Sequence, residues 1–174
     1  MELTPARRRF VLHWGEMGTR WGINRTVAQV HALLFVSERP LHAEEIRDTL
    51  SVARSNVSVA LRELLAWGLV RVAHVLGDRR DYFEATADVW EMFHSILEGR
   101  RRREVDPTLA VLQECVAEAE SEKDVHALRR LTELLGFFEL AVSWFDQVRR
   151  MPRRTLTRFA RMGDRITRLL DQAS

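Results

Sequence analysis

The chain has 174 residues, 46% hydrophobic and 30% charged, with a formal net charge of +2. That is enough apolar material for one domain, or for a domain with a substantial extension, and it excludes a disordered chain. No apolar stretch approaches the roughly 20 residues that span a bilayer, the start lacks the continuous hydrophobic segment of a secretory signal, and the single cysteine, Cys115, can close no internal disulfide. A cytoplasmic protein with no membrane partner is expected.

In chain order, Thr4 followed by Pro5 predicts the start of a first helix through Phe10, Val11 and Trp14. Gly15, Gly18 and Gly22 are three and four residues apart, so they mark either close approach of another helix or fraying of this one. Asn24 or Thr26 caps a second helix, mostly core, through Val27, Val30, Leu33, Leu34 and Phe35, ended near Pro40. Leu41 to Ile46 opens a third helix, with Ile46 and Leu50 one turn apart and acids near its positive end. After the turn Ser51-Val52-Ala53, a fourth helix carries Val57, Leu61, Leu64 and Leu65 on one side and stops at Gly68. Residues 69–75 read as a partly buried strand, Gly77 to Asp81 as a turn and Tyr82 to Ala85 as the returning strand. Helix, short turn, helix and hairpin make a winged helix-turn-helix.

Beyond the hairpin, Asp88 caps a helix striped with Val89, Trp90, Phe93, Ile96 and Leu97, which runs toward Arg100–Arg103 and should end before Pro107. Asp106-Pro107 starts the next, with Leu109, Leu112, Val116 and Cys115 inward. A longer helix from about Ser121 to Met151 uses Val125, Leu128, Leu131, Leu134, Leu135, Phe138, Val142 and Phe145. A last one, Arg153 to Asp171, turns Leu156, Phe159, Ile166 and Leu170 to one side. Residues 106–148 hold nine acids against three bases, and 149–168 hold eight Arg against one Asp. The basic segment is a solvated face, a membrane-surface helix or a partner for the acidic one, and charge complementarity favours the last, at a dimer interface.

The polar side of the fourth helix displays Arg54, Ser55, Asn56, Ser58, Val59 and Arg62. In a major groove an Asn can bridge adenine, an Arg can pair with guanine or grip phosphate, and a Val can touch a thymine methyl. Arg79 and Arg80 at the hairpin tip suit a minor groove or its phosphates, unless Asp78 and Asp81 hold them in a solvated turn. This region is not globally basic: residues 41–87 carry six Arg against seven acids, so positioned arginines must serve in place of bulk charge.

Asn24–Gln29, Arg54–Leu64, Trp67–Val70, Gly77–Tyr82 and Arg100–Glu104 with Pro107 resemble the GbsR-type branch of the MarR-like transcriptional regulators, over about residues 10–107. The resemblance implies a homodimer whose terminal helices dimerise and whose affinity for DNA responds to a small ligand. Ala53 and Ser55 stand where this group commonly has a serine and a glycine, so the helix start is expected to shift, with Ser55 or Ser51 as its cap. Aromatic faces attract quaternary ammonium groups, and the likeness to a regulator of betaine metabolism points the same way. Trp14, Trp21, Trp90 and Trp144 are therefore candidate effector residues for a choline-like ligand between the winged helix and the helical half; plain packing is their other reading.

The six histidines lack a paired ligand motif, no Gly-rich phosphate loop follows a strand, and no Ser, His and Asp arrangement is suggested, so no metal, cofactor or catalytic residue is expected. Cys115 reads as a small buried hydrophobe or as a redox-sensing thiol. The expectation is a mainly α protein with a small β-hairpin wing: a DNA-binding domain over residues 1–87 and a helical dimerisation and effector region over 88–174. It regulates transcription by binding double-stranded DNA as a homodimer, or else uses the same winged helix for protein interaction with no operator.

Overall fold

A threonine hydroxyl starts the first helix as its sequence demands. In the computed structural model, which describes residues 2–152, 154, 155 and 158, Thr4 Oγ1 accepts the Arg7 N–H at 3.3 Å and α1 runs Pro5–Arg20. Asn24, and not Thr26, caps α2 (Arg25–Phe35), its Oδ1 accepting the Thr26 N–H at 2.8 Å. Seven consecutive-turn residues of α2, from Val27 to Leu34, are buried, which makes this helix the centre of the core.

Two of the three glycines of the first helix are close-approach sites, and the third ends it. A Cβ on Gly15 would stand 2.6 Å from Gln29 Cγ, and one on Gly18 would stand 2.5 Å from the Ala28 Cβ. Gly22 has φ +76° and open space around it, so it serves the turn into Asn24. Gly18→Ala should therefore wedge α1 from α2 and destabilise the chain by about 1–3 kcal/mol. Gly22→Ala, strained by its φ but unopposed sterically, should show no wedging; chemical denaturation of both variants checks the contrast.

The third helix begins later than expected. Leu41–His42 form a short strand, β1, and α3 is Ala43–Leu50. Pro40 interrupts any helix arriving from its N-terminal side, Leu41 is fully buried, and His42 takes an extended conformation (φ −87°, ψ 164°) as N-cap. Glu45, three residues on, returns its carboxylate to the His42 N–H at 3.1 Å.

The second helix of the helix-turn-helix is α4 (Arg54–Ala66), and Gly68 (φ +67°) turns the chain into β2 (Val70–Ala73). β3 is Tyr82–Ala85. The strands pair antiparallel in the order β1-β3-β2, with Leu41 opposite Phe83, His42 opposite Tyr82 and Arg71 opposite Glu84. The wing is thus a three-stranded sheet, where the sequence predicts a two-stranded hairpin. α5 (Val89–Arg100) starts on Asp88, whose Oδ1 accepts the Trp90 and Glu91 N–H groups at 2.8 and 3.2 Å. Its core-facing residues are Met92 and Ile96, whereas Val89 and Phe93 are exposed, so the predicted stripe is rotated. These elements form one compact unit, Met1–Gly99.

The second unit is Arg100–Ser174. The helix break expected before Pro107 is absent: Arg101–Val105 form a π-helical turn that passes directly into α6 (Asp106–Glu122). Proline has no N–H, and its ring crowds the carbonyl four residues back; the wider turn, in which the Asp106 N–H reaches the Arg101 carbonyl, relieves that crowding. Arg101 pairs with Asp106 at 3.3 Å and with Asp146 of α7. Lys123 (φ 59°) ends α6, and Asp124 caps α7 (Val125–Arg150) by accepting the Ala127 N–H at 2.9 Å.

Leu112 and Ala119 of α6 are buried, with Leu109, Cys115 and Val116 partly so. Leu128, Leu131, Leu135, Phe138, Val142 and Phe145 form the half-buried side of α7, while Val125 and Leu134, expected inward, are exposed. The last helix expected over 153–171 lies, apart from Arg154, Thr155 and Arg158, outside the described residues. Among the described residues no helix is long and apolar enough to cross a membrane.

Candidate nucleic-acid interface

Burial of one side fixes what α4 shows on the other. Val57, Ala60, Leu61 and Leu64 are buried, and Arg54, Ser55, Asn56, Ser58, Val59 and Arg62 are all exposed, so the predicted polar face is intact. Leu65, expected inward, is 37% exposed; Ala60 fills the inner position instead. The helix starts at Arg54 despite the missing cap. Ala53 occupies the N-cap with no side-chain hydrogen bond, and neither Ser55 nor Ser51 replaces it. Ser51 closes α3 in the left-handed conformation (φ 54°), and the Ala53 carbonyl accepts from Asn56 and Val57 at 3.0 and 3.2 Å. An N-terminus left uncapped by any side chain keeps its positive dipole end open to an anion such as a DNA phosphate.

Of the two arginines on this face, Arg54 leans to Glu44 of α3 at 3.8 Å, and Arg62 has no ion-pair partner among the described residues. Arg62 is thus the freer of the two guanidinium groups to reach a base or a phosphate.

The wing holds its two arginines differently. Arg79 is exposed and unpaired among the described residues. Arg80 is tied down: its Nε donates to Asp78 at 3.0 Å, its Nη2 donates to Asp78 and to the Tyr82 hydroxyl (3.1 Å), and its Nη1 meets His42 Nε2 at 3.0 Å. The Tyr82 hydroxyl donates in turn to Asp78 at 2.8 Å, and the Arg80 backbone N–H to Asp78 at 2.9 Å. The Arg80 guanidinium holds the Asp78 carboxyl far below the usual carboxylate range, helped by the Arg80 N–H and the Tyr82 hydroxyl. The same carboxylate raises Arg80 and, through its hydrogen bond, Tyr82.

The pairing with Asp78 weighed against DNA contact in the sequence therefore exists, but only for Arg80. It leaves that side chain 54% exposed. Four of the five guanidinium N–H groups are engaged by these contacts, and one on Nη1 remains for an external acceptor.

His42 is the residue that sequence reasoning missed here. It stood among six scattered histidines, and only its position three residues before Glu45 hinted at a cap.

The four candidate effector tryptophans are divided between the two units. Trp14 and Trp21 pack edge to face at 6.3 Å, with Trp21 53% exposed at the end of α1. Trp90 is half-buried at the start of α5, and Trp144 is exposed on α7 of the second unit.

A model of the MarR family matches residues 21–81, which run from the end of α1 to the wing. Over those residues the chain resembles the winged helix of that family. Such a module belongs to DNA-binding regulators of transcription, and that is what this protein is. Over 147 residues it is 21% identical to YvaV of Bacillus subtilis (strain 168), described as a candidate HTH-type transcriptional regulator, spanning 78% of this chain and 83% of that protein.

The crystal structure of a transcriptional regulator superposes with a TM-score of 0.62 at 21% identity, covering 90% of this chain and 99% of that one, which shows that the two share a fold. The transcriptional regulator Tm0710 from Thermotoga maritima is 22% identical over 78% of this chain and 91% of its own, with a TM-score of 0.39.

Proposed function

We propose that this regulator is a homodimer of the GbsR-type branch that reads a near-palindromic operator, with α4 in the major groove and Arg79 and Arg80 at the neighbouring minor groove. The observation that carries the reading is the joint exposure of Arg54, Ser55, Asn56, Ser58, Val59 and Arg62 on one face of α4, in the same compact unit as an arginine-tipped wing. Side chains of this kind on a helix discriminate base edges, while wing arginines fix register and supply sequence-independent attraction.

A second copy is supported by α7, where Leu134, Phe137, Leu140 and Trp144 recur at helical spacing and are all exposed. An apolar stripe of that length favours burial against another helix. A small effector is part of the proposal, and the exposed Trp21 ring, braced by Trp14, supplies an aromatic face suited to a quaternary ammonium group.

Selection from a random duplex library with the purified full chain tests this reading. Enrichment of a near-palindrome with two half-sites is expected, because two-fold protein symmetry imposes two-fold symmetry on the site. Repeating the titration of the enriched duplex with choline should shift its affinity. Weak, salt-sensitive binding with no enriched sequence would instead favour a winged helix used for protein interaction.

A further inference from the structure

We propose that His42 is a positioning residue for the wing, holding the Arg80 guanidinium in the orientation in which it meets DNA; the inference rests on the reading of the wing as a DNA contact. Arg80 already has a carboxylate partner in Asp78, but both lie on the same hairpin, and that pair alone fixes Arg80 only relative to the hairpin itself. His42 belongs to β1 and caps α3, so its contact with Arg80 at 3.0 Å is the side-chain link from the wing arginine to the helix-turn-helix.

An arginine only donates, so His42 Nε2 must accept, and the ring proton then sits on Nδ1. Glu44 Oε2 lies 3.0 Å from that Nδ1, placed to accept the proton and keep the ring in the required tautomer. The Glu45 N–H approaches Nδ1 only at 3.4 Å and is the weaker of the two claims on it. The ring is further fixed by Tyr82, packed edge to face at 5.4 Å and 87°, and its side chain is 13% exposed.

The groups around the imidazole come from every neighbouring element. Asp78, Arg80 and Tyr82 come from the wing, Glu44 and Glu45 from α3, and Arg54 of α4 reaches Glu44 at 3.8 Å. Arg39, before β1, pairs with Glu45. A chain of contacts thus runs from the tip of the wing through His42 and Glu44 to the first residue of α4. Both DNA-facing elements are referenced to the same imidazole.

His42→Asn and His42→Gln separate positioning from capping. Asparagine is among the best N-caps and preserves the start of α3, but its amide is too short to reach Arg80. Glutamine extends an acceptor toward the guanidinium. Binding to a mixed-sequence duplex is followed by fluorescence anisotropy over a salt series, alongside NMR relaxation of the Arg80 Nε–H in the free protein.

His42→Asn should weaken binding roughly fivefold, the equivalent of one typical net hydrogen bond. The salt slope should stay at its wild-type value, because the arginine charge is retained, whereas Arg80→Ala lowers the slope by about 1. The Arg80 Nε–H should become mobile in His42→Asn, recover in His42→Gln, and His42→Asn should add nothing in the Arg80→Ala background. Wild-type affinity with an unchanged Arg80 signal in His42→Asn overturns the proposal, as does full additivity with Arg80→Ala. Failure of the wild type to bind the duplex would sink the reading of the wing, and the Arg80 relaxation would still decide the role of His42.

Discussion

Replacing Arg79 and Arg80 together by alanine is expected to lower affinity for duplex DNA of any sequence by about one to two orders of magnitude and to reduce the salt slope by about 2. Each guanidinium that neutralises a phosphate releases condensed counterions, so the loss should be greatest at low salt and shrink as salt rises. The two single variants should differ. Arg79 has no partner among the described residues to leave behind, whereas removing Arg80 exposes the Asp78 carboxylate, which Arg80 neutralises, to the DNA backbone. Arg80→Ala should therefore cost more than Arg79→Ala, with a fold that is unchanged, because Arg80 is a half-exposed side chain on the wing. Anisotropy titrations at several salt concentrations check all three; a double variant with the wild-type salt slope would remove the wing from the interface.

Acid should destabilise the first unit through His31. This side chain is 4% exposed in the middle of α2, its Nε2 has no hydrogen-bond partner among the described residues, and its ring lies 6.4 Å from Phe35. Burial makes the charged imidazolium costly and lowers the pKa from the ordinary 6.5 to about 4. The folded chain thus keeps His31 neutral over a pH range where the unfolded chain takes up a proton. Its contribution to stability is complete above pH 6.5 and is lost progressively as pH falls toward 4, about 3 kcal/mol in all.

His31→Leu fills a similar volume without a titratable atom and should flatten the stability curve across that window. Glu44, whose carboxylate is lowered first by its own backbone N–H, and Glu45, lowered first by the Arg39 hydrogen bond, still make the variant acid-sensitive at lower pH, with the same sign. Denaturant melts of both proteins across the window decide it; an unchanged slope in His31→Leu would assign the acid loss to other groups.

Much of this architecture was legible because local chemistry and burial agree. Thr4, Asn24 and Asp88 cap helices with their own oxygen atoms, and a cap is a signal carried by two or three neighbouring residues; the start of α7 at Asp124 instead replaces the expected start near Ser121, which falls within α6. The exposed face of α4 followed from the spacing of Val57, Leu61 and Leu64. What escaped reading depends on partners distant in sequence. β1 has two residues, too few for any periodicity, and exists because Leu41 finds the core and a pairing partner in Phe83. Likewise Asp88 announced the start of α5, but which of its sides faces inward was settled by the core that Met92 and Ile96 meet. Pro107 misled because the usual geometric conflict has a second solution, a widened turn, which spacing does not reveal. The role of His42 arises only when a residue 38 positions away folds back upon it.

The third strand has a consequence for how such a protein samples DNA. A hairpin joined to its domain at one end alone behaves as a swinging arm that adapts to whatever groove it meets. Here the β1–β3 pairing staples the far strand of the hairpin to the start of the helix-turn-helix, which restrains the wing relative to the segment that leads into α3 and α4. On the proposed reading of the wing and α4 as DNA contacts, groove width and helical phase would then be quantities to which the protein responds. Sequences whose stiffness or narrow minor groove suits a restrained wing would be favoured even at base pairs that no side chain touches.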